Sequence, residues 1–91
     1  MKKELSIAEQ LLELVLPAAP ALADYDGDRL AANLPDAGLS SIAVARLMLQ
    51  IEASYDITIP DAKLTPENFA NLRAIERLVA SLGARADRKH A

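Results

Sequence analysis

The sequence contains no cysteine and no tryptophan, and only one histidine, His90, among its 91 residues. Without cysteine the chain has no disulfide framework, no thiolate nucleophile and no cysteine ligand for a metal. His90 lies in a polar C-terminal segment, where a catalytic or metal-binding histidine is not expected. We therefore expect no catalytic residues and no metal site, and any thiol chemistry has to come from an added group.

Clusters of basic residues and long apolar runs are missing as well. The formal net charge is −3 at pH 7, and lysine and arginine are grouped only near the two chain ends. Because contacts to a phosphate backbone need clustered basic side chains, no nucleic-acid partner is expected. No apolar run reaches the length of a membrane span, and no signal-peptide core comes after the first residues. These features predict a cytoplasmic protein without a membrane partner.

Residues that favour helices predominate instead. The hydrophobic fraction is 52% and the aromatic fraction only 3%, so the core has to be built mostly from leucine, isoleucine and valine. A chain of this length is sufficient for one domain with a modest core. The composition predicts an all-α domain that acts through its surface rather than through an enclosed cleft.

Apolar periodicity predicts two helices in the first two thirds of the chain. The first runs from Ile7 to Leu16 and begins with Ser6 and Glu9 at the spacing of a capping box. The second runs from Ser41 to about Ser54, with Ser40 or Ser41 itself as its N-cap. Each of these two helices starts at a serine that can satisfy unpaired backbone N–H groups.

A third longer helix and one short helix are predicted in the last third. Asn71 is the predicted N-cap of a helix from Leu72 to Leu82, and Gly83 is its predicted stop. Thr65 and Pro66 predict the start of a short helical turn before it. The expected architecture is a bundle of three longer helices plus one short helix.

A long loop separates the first two predicted helices. Residues 17–40 carry many turn formers, and a loop of this length in so small a domain is usually functional or disordered. Leu30 and Leu34 can hold the loop to the core, which favours an ordered loop. After the second helix, residues 56–61 alternate like a strand, but without a second strand to pair with they are expected to form an extended connection.

The second predicted helix carries more apolar residues than one buried face needs. The residues at helical spacing that suffice to face the core are Val44, Leu47, Met48, Ile51 and Tyr55. A second apolar stripe on the same helix consists of Ile42, Ala45, Leu49 and Ala53. This stripe is either a partner surface or is covered by the long loop.

Two serines lie at the start of this helix in the segment GLSSI, residues 38–42. Glycine permits a sharp turn, and serine is a preferred N-cap, so the segment alone indicates only the start of a helix.

A second segment, on the far side of the helix, makes the pattern more specific. Residues 36–42 read DAGLSSI, and residues 56–60 read DITIP. The first segment resembles the attachment motif of the phosphopantetheine-dependent acyl and peptidyl carrier proteins, and the second is similar to a stretch of the same family. Their order and the spacing from Ser41 to Pro60 are also those of the family. The resemblance covers residues 36–82, and it implies an acyl-carrier-like helical bundle.

The resemblance further implies a covalent 4′-phosphopantetheine arm on Ser41, attached from coenzyme A by a phosphopantetheinyl transferase. Acyl or aminoacyl groups would travel on the arm's thiol as thioesters, which makes the chain a phosphoprotein carrier and not an enzyme. Its other implied partners are a ligase that loads the group and an enzyme that receives it. A monomer is expected, since a fixed dimer would bury the second helix. The implied carrier domain is residues 1–83, with a flexible C-terminal tail, residues 84–91.

Some residues depart from the fatty-acid-type carriers. Ser40 stands where those carriers usually have aspartate, and Ala43, Arg46 and Ala53 stand where their second helix tends to be acidic. Partners that dock through basic patches are therefore expected to bind poorly. The chain is more similar to specialised carriers, among them stand-alone aminoacyl carrier proteins. The residues expected to contact partners are Leu39, Ser40, Ile42, Ala45, Arg46, Leu49 and Ala53.

Two other functions compete with the carrier interpretation. A cofactor-free helical interaction module would use the same apolar stripe, and its binding would survive replacement of Ser41 by alanine. A small hydrolase that uses Ser41 directly would lack a histidine base beside it.

Overall fold

The structure, a computed structural model, describes residues 5–85. It contains the α-helices α1 (Ile7–Val15), α2 (Ser41–Tyr55) and α3 (Leu72–Ser81) and two short 3₁₀ helices, Pro20–Asp24 and Asp61–Lys63. No strand occurs within these residues, and the all-α class with three longer helices is confirmed. His90 and most of the expected tail, residues 86–91, lie outside the described residues.

Helix α1 begins where its capping residues predict. The Ser6 hydroxyl accepts a hydrogen bond from the Glu9 backbone N–H at 3.1 Å, and the Glu9 carboxylate accepts one from the Ser6 N–H at 2.9 Å. Both bonds satisfy N–H groups that have no partner within the helix. Leu11 and Val15 on its inner face are fully buried. The predicted capping box is confirmed, and the helix ends one residue before the predicted Leu16.

Helix α3 packs against α1 and closes the core. Its N-cap is Asn71, whose side-chain oxygen accepts a hydrogen bond from the Ala74 N–H at 2.8 Å, as the sequence predicts. Past its end the backbone of Gly83 has a φ of +99°, which glycine adopts without strain. The buried residues of its inner face are Leu72, Ala74, Ile75, Leu78 and Val79.

The short helix predicted to start at Thr65 does not form as a helix. The 3₁₀ helix is Asp61–Lys63, whereas residues 66–69 form turns. Thr65 caps that turn as expected, because its hydroxyl accepts a hydrogen bond from the Asn68 N–H at 3.2 Å. The capping role of Thr65 was predicted correctly, but the backbone hydrogen bonds after Thr65 form turns and do not continue as a helix.

The connection between α1 and α2 is not an uninterrupted loop. It contains the 3₁₀ helix Pro20–Asp24, and Leu22 and Leu34 are fully buried. The Leu34 N–H donates to the Ala70 carbonyl at 2.8 Å, and the Arg73 N–H donates to the Leu30 carbonyl at 3.0 Å. The connection is therefore held on the start of α3, which fixes the chain just ahead of α2.

An exposed ion pair reinforces this attachment. The Asp28 carboxylate accepts a hydrogen bond from the Leu30 N–H at 3.0 Å and lies 3.3 Å from the Arg73 guanidinium. The Leu30 N–H, and after it the Arg73 side chain, lower the pKa of Asp28 below its usual value. The ionised form is thus favoured in the folded protein.

We expect Asp28→Asn to reduce the acid sensitivity of the fold. A carboxyl whose pKa is lowered on folding contributes stability above its unfolded pKa of about 4, and the contribution is lost as the pH falls through the folded pKa. Urea denaturation at pH 7 and at pH 2.5 measures this difference. At pH 7 wild type should have a higher free energy of unfolding than the variant, and at pH 2.5 the two values should be similar. If the difference in free energy were the same at both pH values, the assignment would be contradicted.

The segment after α2 is extended, as predicted. Helix α2 ends at Tyr55, and the residue that follows it, Asp56, has a φ of +56°; the chain then runs without regular structure to Pro60. The Glu52 carboxylate accepts a hydrogen bond from the Ile59 N–H at 2.7 Å, and the Ile59 side chain is buried. The connection therefore folds back against α2.

None of the described helices is long and apolar enough to cross a bilayer.

Candidate functional site

The turn before α2 sets the position of both serines. Gly38 has a φ of +105°, and the next residue, Leu39, donates its N–H to the Leu34 carbonyl at 3.0 Å. The Leu39 side chain is 6% exposed and belongs to the core. The turn directs its side chain inward, so its predicted contact with partners stays a prediction for a residue that is almost entirely buried. Buried Leu39 fixes the point at which α2 starts.

Gly38→Ala should destabilise the protein by about 1 kcal/mol, the cost of placing a side chain at positive φ. No atom lies within 4 Å of an added Cβ, so steric overlap contributes nothing to this value. Urea denaturation measures it. Gly38→Asn is the matched comparison, because asparagine tolerates positive φ better than alanine. Equal stability of wild type and both variants would show that the turn relaxes freely.

The two serines have different roles. Ser40 is the N-cap of α2, and its hydroxyl accepts a hydrogen bond from the Ala43 N–H at 3.1 Å. Ser41 is the first residue of the helix, is exposed, and its hydroxyl has no hydrogen-bond partner among the described residues. The sequence left the choice of cap open between them. The structure assigns the cap to Ser40 and leaves the Ser41 hydroxyl accessible.

The surroundings of Ser41 suit a negatively charged group. It lies at the N-terminal end of a 15-residue helix, where the helix dipole and unpaired N–H groups favour an anion. The first turn of α2 contains no acidic residue that would repel one. A phosphate esterified to the Ser41 hydroxyl is therefore compatible with the residues present.

Two grooves flank the start of α2. One, of about 330 Å³, contains Ser41 and is otherwise mainly apolar; its remaining lining residues are Pro35, Leu39, Val44, Leu64, Thr65, Pro66 and Phe69. The other, of about 310 Å³, lies between the end of α1 and α2; it is lined by Leu14, Pro17, Ala18, Ser40, Ile42, Ala43, Arg46, Leu47 and Gln50. The sequence reasoning missed the Leu64–Phe69 side of the first groove. The lone phenylalanine just after a proline turn was the available signal.

The second apolar stripe of α2 is exposed. Ile42 is 69% exposed and Leu49 is 60% exposed, and the neighbouring Ala45, Arg46 and Ala53 are exposed as well. The connection between α1 and α2 does not cover them, since it is held instead on the start of α3. We call these five residues, with Ser40 and Ser41 at their N-terminal end, the α2 face.

The other stripe of the helix faces the core to differing degrees. Leu47, Ile51 and Tyr55 are buried, whereas Val44 and Met48 are only partly buried. The Tyr55 hydroxyl donates a hydrogen bond of 2.7 Å to the buried Gln10 side chain on α1. This bond and the buried residues fix the rotation of α2, so the α2 face has to point outward.

The described residues contain no histidine and no group of three or more metal-ligating side chains arranged to hold an ion. Ser41 likewise has no acidic or basic hydrogen-bond partner among them. The site therefore offers an accessible hydroxyl and two grooves, and it does not form a nucleophile paired with a base.

A family model described as "phosphopantetheine attachment site" matches residues 9–79. Two curated relatives are similar over 48 residues. "Aminoacyl carrier protein 1" of Bradyrhizobium diazoefficiens is 48% identical over 53% of this chain and 53% of its own length. "Aminoacyl carrier protein" of Agrobacterium fabrum is 50% identical over 53% of this chain and 58% of its own length. The chain thus spans somewhat more than half the length of the curated relatives it matches.

Solved structures are similar as well. One is an engineered Bradyrhizobium japonicum glycine:[carrier protein] ligase complexed with a carrier protein from Agrobacterium tumefaciens and ATP. A chain of that structure is 36% identical with a TM-score of 0.69, over 82% of this chain and 97% of that one. A second is the B. japonicum ligase complexed with glycylated carrier protein, with 32% identity and a TM-score of 0.58 over 77% of this chain and 97% of that one.

Proposed function

The chain belongs to the phosphopantetheine attachment-site family, and from this membership we propose that it is a carrier protein that holds aminoacyl or acyl groups as thioesters on an arm attached to Ser41. The assignment to Ser41 rests on the different hydrogen bonding of the two serine hydroxyls. Ser40 uses its hydroxyl to cap α2, and the exposed Ser41 hydroxyl is left available for modification. In this proposal residues 1–83 form the carrier domain.

The attachment joins the Ser41 oxygen to a phosphorus of coenzyme A. The Ser41 hydroxyl would lose its proton to the transferase and attack the phosphorus that carries the pantetheine. The pyrophosphate bond of coenzyme A would break with adenosine 3′,5′-bisphosphate as the leaving group, and the Ser41 oxygen would become an ester oxygen of the new phosphodiester. The N-terminal end of α2 stabilises the resulting negative charge by roughly 0.3–1 kcal/mol. When bound, phosphopantetheine supplies the terminal thiol that the chain itself lacks.

An aminoacyl group is the cargo that the comparisons favour. The curated relatives are named as aminoacyl carrier proteins, and the similar structures contain a glycine:[carrier protein] ligase. We therefore propose a loading ligase of that class as a partner. A phosphopantetheinyl transferase has to act before the ligase, and an enzyme that accepts the aminoacyl group has to act after it.

Intact-protein mass spectrometry tests both parts of the proposal. Incubation with coenzyme A and a broad-specificity phosphopantetheinyl transferase should add one phosphopantetheine to the chain. Further incubation with the B. japonicum ligase, glycine and ATP should then add one glycyl group that hydroxylamine removes, as expected of a thioester.

Attachment of the arm and loading of the amino acid are tested independently of each other. If a control carrier is modified under the same conditions and this chain is not, the carrier function is wrong. If the arm is added but no amino acid is then loaded from any of the twenty, the chain is a carrier whose cargo is not loaded by this ligase class.

The exposed α2 face gives a second candidate function, a cofactor-free interaction module. Ile42 and Leu49 are the observation that favours it, because large apolar side chains so fully exposed are typical of partner surfaces. A partner that binds unmodified wild type and Ser41→Ala with equal affinity would support this function.

A further inference from the structure

A buried hydrogen bond joins the C-terminal end of α2 to α1. The Tyr55 hydroxyl donates to the Gln10 side-chain oxygen at 2.7 Å, and both residues are buried. The Gln10 amide nitrogen donates in turn to the Leu5 carbonyl at 3.0 Å, which holds the amide in place. Because breaking a buried hydrogen bond leaves polar groups without partners, this bond favours one orientation of α2 against α1.

Apolar contacts alone hold α2 less strictly. The buried residues of the helix, Leu47, Ile51 and Tyr55, are spaced four apart and form one narrow line. Val44 and Met48 lie beside this line and are only partly buried. Because burial of further apolar surface is favourable, the helix would gain by rolling about its axis toward the side of Val44 and Met48.

Ser41 lies on the side of α2 that such a roll would bury. It comes three residues before Val44 and seven before Met48, which is the spacing of residues on one side of a helix. Ser41 and Val44 also line the same open groove of about 330 Å³, together with Leu64 and Phe69. A roll of about 20° would move atoms at the outer radius of the helix by about 2 Å. It would therefore carry the Ser41 hydroxyl inward and narrow the groove.

From these contacts we propose that the Tyr55–Gln10 hydrogen bond is a latch that keeps α2 from rolling and so keeps the Ser41 hydroxyl presented to the phosphopantetheinyl transferase. Gln10 and Tyr55 are then positioning residues for attachment of the arm. The turn at Leu39 fixes where α2 starts, and the latch acts about 21 Å further along the helix axis. The inference rests on the proposed function and adds two residues that support its first step.

Thiol labelling of the unmodified protein measures the roll directly, because the chain contains no cysteine. Ser41→Cys and Ser54→Cys each introduce one thiol with little change in size. Ser54 and Met48 come three residues after and before Ile51, so they lie on opposite flanks of the buried line. With Tyr55→Phe added, the thiol at position 41 should react with N-ethylmaleimide about fivefold more slowly, and the thiol at position 54 about threefold faster.

Steady-state kinetics of the transferase with coenzyme A measure the consequence for attachment. Tyr55→Phe should raise KM for the unmodified chain about fivefold and leave kcat within about twofold, because the orientation that the enzyme accepts is less populated. Met48→Lys added to Tyr55→Phe should return KM to within about twofold of wild type, since a lysine ammonium resists burial and opposes the roll. A purely stabilising role of Tyr55 predicts no such recovery.

Two further variants serve as controls. Ile75→Val lowers stability in the core, because Ile75 is fully buried on α3, and it leaves the latch untouched. Its KM should stay within about twofold of wild type. Gln10→Met combined with Tyr55→Phe removes both polar groups of the latch, so neither side chain is left with a buried polar atom to satisfy. This double variant should show the same opposite changes in labelling as Tyr55→Phe.

Several results would overturn the inference. Faster labelling at both positions in Tyr55→Phe would show that the domain loosens without rolling. Labelling at wild-type rates in the double variant would assign the effects of Tyr55→Phe to the unsatisfied Gln10 side chain.

The kinetics separate this inference from the proposed function. If wild type takes up the arm and Tyr55→Phe has the same KM, the latch has no part in attachment and the carrier function stands. If wild type takes up no arm while a control carrier does, the proposed function fails, and this inference fails with it.

Discussion

Ser41→Ala is expected to abolish the addition of phosphopantetheine completely, while leaving the fold intact. Ser41 is exposed and its hydroxyl has no hydrogen-bond partner among the described residues, so its removal costs the folded state little. Alanine is also a favourable helix residue. Intact-protein mass spectrometry after treatment with coenzyme A and the transferase measures the effect, and circular dichroism verifies the fold.

Ser40→Ala is the matched control for this experiment. Its cap on the Ala43 N–H would be lost, which typically costs about 1 kcal/mol, but the acceptor hydroxyl of Ser41 would remain. This variant should therefore still be modified, with a lower melting temperature than wild type. Modification that persists in Ser41→Ala and disappears in Ser40→Ala would show that the arm is attached to Ser40 and would reverse the roles we give to the pair.

Leu34→Ala should have the largest effect on stability among the changes considered, about 2–5 kcal/mol. Leu34 lies in the connection between α1 and α2, yet its side chain is fully buried in the core. A domain of this size has a total stability of about 5–15 kcal/mol, so the variant loses a large share of it. Urea denaturation followed by circular dichroism gives the difference in the free energy of unfolding.

Leu64→Ala makes the same chemical change at a less buried position. Leu64 is 39% exposed at the edge of the groove beside Ser41, so its truncation should cost less than about 1 kcal/mol. If the two variants were equally stable, the connection would not be docked in solution. A loss of stability confined to Leu34→Ala would show that this irregular segment is part of the core.

The starts of the helices could be predicted because their causes are local. Ser6 and Asn71 each accept a hydrogen bond from an N–H three residues ahead, and that spacing is visible in the sequence. The same is true of the cap on α2, although adjacent serines left two choices there. Only the three-dimensional path of the turn at Gly38 separates the roles of Ser40 and Ser41.

Features that depend on distant segments could not be predicted in the same way. Leu39 was predicted to contact partners, but its burial was not predicted: its N–H donates a hydrogen bond to the turn at Leu34, and its side chain lies in the core. The groove beside Ser41 needs Leu64 and Phe69 to meet α2, and no local pattern places them there. The second apolar stripe of α2 was visible in the sequence because this helix has more apolar positions than one buried side can use. Its exposure was left open there, since the long loop could have covered it.

The attachment of the α1–α2 connection to the start of α3 also bears on when the chain becomes competent during its synthesis. Leu34 bonds to Ala70 and Leu30 to Arg73, so both partners are translated well after Ser41. A chain still emerging from the ribosome with Ser41 exposed, but without Ala70, lacks the contacts that hold the turn ahead of α2. The turn ahead of α2 is therefore expected to take its final position only after residues 70–73 have emerged from the ribosome.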